Sequence, residues 1–387
     1  MNANIALKLP ERAKEFPTRV AVAAPLNGKP SGDGKFSYEE LTFKELEDRS
    51  NTYAQNLIKM GLKKGDRVLM FVRPSVDFSA ITFAVFRAGL VPIFIDPGMG
   101  RKNLLEAVEQ IKPVGLIAEP EVHFLRLIFR KPFQTVRYFV TTGGLAWGGM
   151  KKTKRWRNEI SVETLMEKVS PEDTAAVLFT SGGTGIPKGV HYTHKIFNAQ
   201  VKKLKEMFSL DELEVDLPGF PLFSLFTITM GMKSAIPAMN PSKPSKCNPE
   251  WLVKNIQDHK ATFVAGSPAI WERVANYCLN ENIKLPSIKY LVMFGAPVSL
   301  LLHEKFQKIL TNGDTYTPYG ATECLPVSNT SGSFVLNTAR EKMLAGKGTC
   351  VGVPAPETII KIAPISDSPH VKETDFQWLG EILSVEI

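Results

Sequence analysis

Between residues 66 and 95 the chain alternates blocks of different length and grammar. Residues 66–71 and 90–95 are short apolar runs, and residues 77–88 form a longer apolar block closed by Gly89. The short runs read as buried strands and the longer one as a helix stopped by its glycine. A strand, a crossover and a second strand commit this part of the chain to a parallel sheet with helices on its faces. The second run ends at Asp96-Pro97-Gly98, a turn sequence.

The same grammar extends in both directions. Residues 2–16 have helical periodicity, and 19–24 and 36–41 read as strands. Thr42, followed three residues later by Glu45, is a capping box opening a helix toward Met60, with Gly61 as its stop. A second αβ series begins near Pro171. It has a strand at 175–179, a helix at 195–208, a helix at 251–259, a strand at 261–265, a helix at 268–279 and a strand at 289–294.

With 387 residues and 44% hydrophobic content, the chain can bury two or three packed units. No span of membrane-crossing length is free of charge and proline. Residues 217–232 are uncharged but short, and they hold Pro218 and Pro221, so they read as buried protein. The N-terminus lacks a basic stretch ahead of a long apolar core, so no secretory signal is expected. Cys247, Cys278, Cys324 and Cys350 are scattered without metal-site spacing, which points to free thiols in a reducing cytoplasm.

The net charge of +8 is uneven, since residues 101–160 hold twelve Lys/Arg against five Asp/Glu. Residues 123–131 mix apolar and basic side chains at near-helical spacing, and 151–157 are strongly basic. Such a stretch is a solvated face over a core helix, or else a surface for an anionic membrane or a nucleic-acid backbone. A greasy substrate would suit peripheral membrane contact through 123–157. No nucleic-acid partner is expected.

The chemistry concentrates after the apolar run 175–179. Thr180, Ser181, Gly182, Gly183, Thr184, Gly185, Ile186, Pro187, Lys188 and Gly189 bring glycines, hydroxyls and one ammonium together. Glycines let successive N–H groups approach an anion, and hydroxyls and an ammonium add donors, so the stretch reads as a phosphate cradle. A P-loop requires Gly before its Lys and Ser/Thr after it, whereas Pro187 precedes Lys188 and Gly189 follows. A dinucleotide fingerprint starting at Gly183 and Gly185 would need glycine where Lys188 stands.

A second motif lies about 140 residues on: Tyr319-Gly320-Ala321-Thr322-Glu323, read locally as a β-turn followed by a strand. Tyr319 offers a face for stacking a base, Gly320 permits a turn, and Glu323 is a hard oxygen ligand suited to Mg²⁺ beside a triphosphate. Together, in this order, the two motifs resemble those of the adenylate-forming (AMP-binding) enzymes: acyl-CoA synthetases, peptide-synthetase adenylation domains and luciferases. Leu41-Thr42-Phe43-Lys44-Glu45-Leu46 and residues 86–97 are similar to two further family motifs.

The resemblance implies a fold and a site. The fold expected is α/β, the large N-terminal domain of the adenylate-forming enzymes. Its two αβ subdomains have mainly parallel sheets (residues 1–170 and 171–340), and a distorted β-barrel begins in 341–387. The family's small C-terminal domain, with its catalytic lysine, is not matched. A truncated piece or a larger native protein is therefore expected, with that domain as a partner in cis and with this stretch alone adenylating poorly.

By resemblance, Thr180, Ser181, Gly182, Gly183, Thr184, Gly185 and Lys188 hold phosphates, and the backbone of Gly295, Ala296 and Pro297 passes along adenine. Tyr319 and Gly320 flank the base, Thr322 donates to the α-phosphate, and Glu323 holds Mg²⁺. Thr184, Lys188, Thr322 and Glu323 carry the chemistry. Phe220, Phe223, Ser224 and Phe226 match the acyl pocket. The family usually has Ser or Thr where Gly183 stands, and its acyl-CoA branch usually has His where Ser224 stands.

The activity implied is ATP- and Mg²⁺-dependent conversion of a long-chain carboxylic acid to acyl-AMP and pyrophosphate. Residues 220–226, 317–327 and 348–352 look most like a bacterial subgroup from long-chain olefin biosynthesis, which closes a β-hydroxy acid to a β-lactone without coenzyme A. The alternatives are a fatty acid–CoA ligase using coenzyme A, a non-catalytic nucleotide or acyl binding module, and a membrane-associated scaffold.

Overall fold

The computed structural model describes residues 2–144, 146–157, 159, 163–180 and 187–361. Helix α1 (Lys8–Glu15) precedes strands β1 (Val20–Pro25) and β2 (Tyr38–Thr42). Helix α2 (Phe43–Lys59), β3 (Arg67–Phe71), α3 (Val76–Arg87), β4 (Val91–Ile95), α4 (Arg101–Ile111) and β5 (Gly115–Ala118) follow. Next come α5 (Pro120–Ile128), β6 (Tyr138–Thr141), β7 (Lys151–Lys152), the single turn α6 (Thr153–Trp156), β8 (Thr174–Thr180), β9 (Lys188–Thr193) and α7 (His194–Phe208). The remainder runs through β10 (Val215–Pro218), α8 (Ser224–Thr229), β11 (Lys233–Ala235), α9 (Pro249–His259), β12 (Phe263–Gly266) and α10 (Pro268–Asn280). It ends with β13 (Tyr290–Met293), α11 (Leu300–Ile309), β14 (Asp314–Ala321), β15 (Cys324–Ser331) and β16 (Val353–Pro354).

Local signals produce these elements where the sequence places them. The Thr42 side chain accepts from the Glu45 amide while Glu45 reaches back to the Thr42 N–H, so both halves of the capping box form. Gly61 ends the segment at φ +106°, and a Cβ there would lie 2.6 Å from the Tyr138 hydroxyl. Strands β3 and β4 pair in parallel, Arg67 against Val91, with α3 as the crossover.

Two sheets result. One has the order β16-β15-β14-β13-β12-β10-β11-β1-β2, the other β7-β6-β5-β3-β4-β8-β9. Their centres are parallel, and β1–β2, β8–β9, β14–β15 and β15–β16 are antiparallel. The sheets exchange chain across residue 170: β1 and β2 join the strands that follow β9, whereas β8 and β9 close the sheet begun by β3. The expectation of an α/β fold with mainly parallel sheets is met.

The alternation of side chains along each strand feeds different cores. Val68 and Met70 face the core shared by both sheets, while Leu69 faces the one under α4. Phe263 and Ala265 likewise join the shared core, and Val264 joins the one under α9, α10 and α11. Helix α3 is buried along its whole length, as a helix with no solvent face must be. Its last residue, Arg87, is fully buried and is neutralised by Glu47, with Asn51 Oδ1 at 3.2 Å and the Leu165 carbonyl at 3.1 Å.

One expectation needs correction, and two strands lie where none was assigned. Residues 188–193 form strand β9, paired with β8 from Thr174↔Thr193 to Thr180↔Lys188, where no element was expected before α7. Residues 217–232, read as buried protein, include the end of β10, which lies between β11 and β12. At 319–323 the strand comes first: β14 runs through Ala321, and Thr322-Glu323 are the two-residue tip of the hairpin leading into β15. The reason is β13, whose Val292 pairs with Tyr316 and holds β14 extended. Of the β-barrel expected to begin in 341–387, residues 362–387 lie outside the described residues.

Candidate active site

In a parallel sheet, the crevice beyond the carboxyl ends of the strands is where loops converge and ligands bind. Strand β13 ends at Met293 and continues into Gly295, Ala296 and Pro297, all exposed. Gly295 has φ +87° with open space where a Cβ would stand. The pairing of β13 with β14 runs as far as Val292↔Tyr316, and Gly295 and Tyr319 each follow three residues later on their own chains. Tyr319 is 42% exposed. Gly320 cannot be replaced freely, because a Cβ would sit 2.7 Å from the Cys324 carbonyl.

Thr322 and Glu323 project from the hairpin tip beyond this edge, Glu323 exposed and Thr322 half-buried. The other sheet meets them here. The buried phenol of Tyr192, on β9, donates a hydrogen bond to the Thr322 carbonyl. Gln200 Nε2, in the second turn of α7, donates to the Leu325 carbonyl at 3.0 Å. Burial pushes the Tyr192 phenol up to about 12, with the Glu323 carboxylate adding to the rise and the Gln200 amide opposing it.

Lys188 opens the same strand. Positions i, i+2 and i+4 of a strand share a face, so Lys188, Val190 and Tyr192 point to one side, with Lys188 about 13 Å along the strand from Tyr192 at about 3.3 Å per residue. Lys188 is exposed. The hairpin tip carrying Thr322 and Glu323 is thus tied to β9 at Tyr192, which pairs with Ala176 near the start of β8, while Lys188 pairs with Thr180 at its end.

An aromatic chain ties this edge to the segment after β10. Phe294, beside Gly295, packs on Phe223 with ring centroids 5.1 Å apart, and Phe223 packs on Phe220 and Phe226 at 5.6 and 6.0 Å. Phe226 meets Phe197 at 5.6 Å, and Phe197 stacks on Tyr192 at 5.1 Å. Phe220 is 39% exposed and Phe223 half-buried, whereas Phe226 is inside the shared core. Ser224 is buried too, its hydroxyl donating to the Pro221 carbonyl at 2.7 Å, which secures the turn into α8.

Of the other expected cradle residues, Thr180 ends β8, while Ser181, Gly182, Gly183, Thr184 and Gly185 lie outside the described residues. Tyr192, Phe197 and Gln200 were not singled out from sequence. The alternation of Val190 and Tyr192 in β9 was the available signal.

Among the described residues no group of three His, Cys, Asp or Glu could hold a metal by itself, and the cysteines are free thiols. A concavity of about 580 Å³ lined by Tyr290, Gly313, Asp314 and Tyr316 opens at the amino ends of β13 and β14. It is at the wrong end of the sheet for the motifs, so the carboxyl edge is the better candidate.

The family model for AMP-binding enzymes matches residues 9–383. The chain belongs to the AMP-binding enzyme family. An olefin beta-lactone synthetase from Stenotrophomonas maltophilia is 36% identical over 368 residues, covering 95% of this chain and 66% of that protein. A long-chain-fatty-acid–CoA ligase from Thermus thermophilus is 25% identical over 352 residues, covering 88% of this chain and 62% of that protein. The AMP-binding chain thus spans just under two thirds of the length of these curated relatives.

The crystal structure of a long-chain-fatty-acid-CoA ligase from Archaeoglobus fulgidus superposes with a TM-score of 0.77 at 21% identity, covering 95% of this chain and 72% of that one. The fold of this family member is therefore that of the large N-terminal domain of the adenylate-forming ligases.

Proposed function

We propose that this AMP-binding chain is the nucleotide- and acid-binding part of a ligase that converts a long-chain carboxylic acid to acyl-AMP and pyrophosphate. The carboxylate oxygen attacks the α-phosphorus of ATP, the bond to the bridging oxygen breaks, and pyrophosphate leaves with that electron pair. The protein's part is positioning and charge neutralisation. In this reading Thr180, Ser181, Gly182, Gly183, Thr184, Gly185 and Lys188 hold the β- and γ-phosphates, and Thr322 donates to the α-phosphate. Glu323 holds Mg²⁺, Tyr319 and Gly320 flank adenine along Gly295, Ala296 and Pro297, and Phe220 and Phe223 border the acyl chain.

One observation supports the reading: the Tyr192–Thr322 hydrogen bond, which ties the strand that begins at Lys188 to the hairpin tip that carries Glu323. The donor set there suits a nucleotide with a divalent cation. It offers an exposed flat ring at Tyr319, open backbone at Gly295, an ammonium at Lys188 and a carboxylate at Glu323. A carboxylate near a triphosphate is favourable only with a cation between them.

For the second step we favour β-lactone closure of a β-hydroxy acid without coenzyme A. It is supported by the 36% identity to a protein named olefin beta-lactone synthetase, against 25% to a fatty-acid–CoA ligase. Ser224, locked in its own turn, has no free hydroxyl proton for a product. The test, run on the protein with the family's C-terminal domain in cis, is acid-dependent exchange of pyrophosphate into ATP with a long β-hydroxy acid and Mg²⁺, followed by mass spectrometry of the products. Lactone without coenzyme A supports the full reading. Turnover appearing only with coenzyme A would replace lactone closure by thioester formation, and absence of exchange would sink the adenylation itself.

A further inference from the structure

Helix α5 packs Val122 against the core under α4, but the rest of its polarity is inverted. Its inward side carries His123, fully buried with Nε2 3.0 Å from the Val140 carbonyl, and Arg126, whose guanidinium lies over the Phe139 ring at 4.0 Å. Its outward side presents Phe124, Leu127 and Ile128, which are 58%, 45% and 74% exposed. Positions i, i+3 and i+4 share one helix face, so these three form a contiguous apolar ridge. A helix serving only the core would place its polar groups the other way round.

The ridge continues into a second segment. Trp147, in the connection from β6 to β7, packs on Phe124 with ring centroids 4.8 Å apart. Four residues later the chain reaches Lys151 on β7, and then Lys154 and Arg155 on α6, all exposed. Arg130 and Lys131, just past the end of α5, are exposed as well. From 123 to 157 there are nine Lys/Arg and no Asp/Glu. Two nearby acids are already paired: Glu121, on α5 itself, with Arg73 at 2.9 Å, and Glu109, on α4, with Lys131 at 2.6 Å. Beneath the basic strip lies a cavity of about 310 Å³ whose lining includes Lys59, Lys151, Lys152 and Arg155, with Glu159 the acid among them.

We propose that this face docks on an anionic lipid surface, with Phe124, Leu127 and Ile128 inserted below the headgroups, Trp147 at their level and the 130–131 and 151–155 cations above. An apolar ridge flanked by one sign of charge has two complementary needs, hydrocarbon and anions, and an anionic bilayer meets both at once. Tryptophan suits the boundary because its ring is apolar while its N–H still finds polar partners. No described helix is long and apolar enough to cross a membrane, so the contact is peripheral. It does not depend on the reaction assigned above, because docking is read without ATP or acid.

The experiment is sedimentation of the protein with vesicles of phosphatidylglycerol in phosphatidylcholine, against phosphatidylcholine alone, at low and high salt. Binding should be at least about tenfold stronger to the anionic vesicles and should weaken with salt. The triple change Phe124→Ser, Leu127→Ser and Ile128→Ser should lower it about tenfold or more with an unchanged melting temperature, since the replaced side chains are exposed. A second variant, Lys151→Ser with Lys154→Ser and Arg155→Ser, should lose the preference for anionic lipid while keeping the fold. Equal binding by wild type and the triple variant would overturn the proposal. So would a lipid-free dimer that the triple change dissolves, because the ridge would then be covered by a second copy of the chain.

Discussion

The Tyr192 phenol donates a hydrogen bond to the Thr322 carbonyl, across the gap between two sheets and 130 residues of chain. It joins the strand that begins at Lys188 to the hairpin tip that carries Glu323. Removing the hydroxyl with Tyr192→Phe leaves a half-buried carbonyl short of a partner, at a cost of about 1–3 kcal/mol. The expected outcome is a small drop in melting temperature and a larger loss, about tenfold, in acid-dependent pyrophosphate exchange. Wild-type exchange in this variant would show that the tip is positioned by other contacts.

Lys188 and Glu323 are exposed, so Lys188→Ala and Glu323→Ala should fold as the wild type does. If they neutralise and hold a triphosphate with its cation, each should lower exchange by about 100-fold or more. For Glu323→Ala the loss should also appear as a raised requirement for Mg²⁺. Circular dichroism melts beside exchange rates at several Mg²⁺ concentrations check both; unchanged exchange in both variants would leave a binding module as the better account.

Gly320 sits where a Cβ would meet the Cys324 carbonyl at 2.7 Å and Leu325 Cβ at 2.9 Å. Backbone cannot yield as a flexible side chain can, so Gly320→Ala should open the hairpin and cost about 1–3 kcal/mol. Calorimetry should show the lower melting temperature.

Asp216 is 1% exposed, and burial pushes its carboxyl up to about 7, against hydrogen bonds from Thr227 at 2.7 Å and Ser234 at 3.2 Å. The folded state holds this proton more tightly than the unfolded chain, whose value is near 3.8. The stabilisation is complete below about 3.8 and is lost as pH rises through about 7, at about 1.4 kcal/mol per pH unit within the window. Buried His194 and His303 and half-buried His259, held down to about 4, act in the opposite sense, costing stability as pH falls below 6.5. Asp216→Asn isolates the carboxyl. Its melting temperature relative to wild type should be higher at pH 8 than at pH 5, and a constant difference would refute the buried-acid account.

Much of the local structure was legible because its causes are local. Thr42 and Glu45 cap α2 wherever that helix goes, Gly61 and Gly89 end their helices through positive φ, and the βαβ unit from β3 to β4 follows from its hydrophobic spacing. The residue types at Lys188 and at Tyr319 to Glu323 were enough to nominate a nucleotide site. Strand β9 escaped notice because its outward side holds Gly189 and His191 and its inward side begins with an exposed lysine, so only its pairing with β8 makes it a strand.

The sequence by itself determined the elements, their caps and the chemical character of the two motifs, because those depend on residues within a turn or two of each other. Only the tertiary structure decided that β1 and β2 leave the strands next to them in the chain, that β8 and β9 close the other sheet, and that Tyr192 reaches Thr322. Short apolar strands are interchangeable as local patterns. Their partners are selected by how all of them fill the shared core around α3, which no stretch of the chain encodes alone.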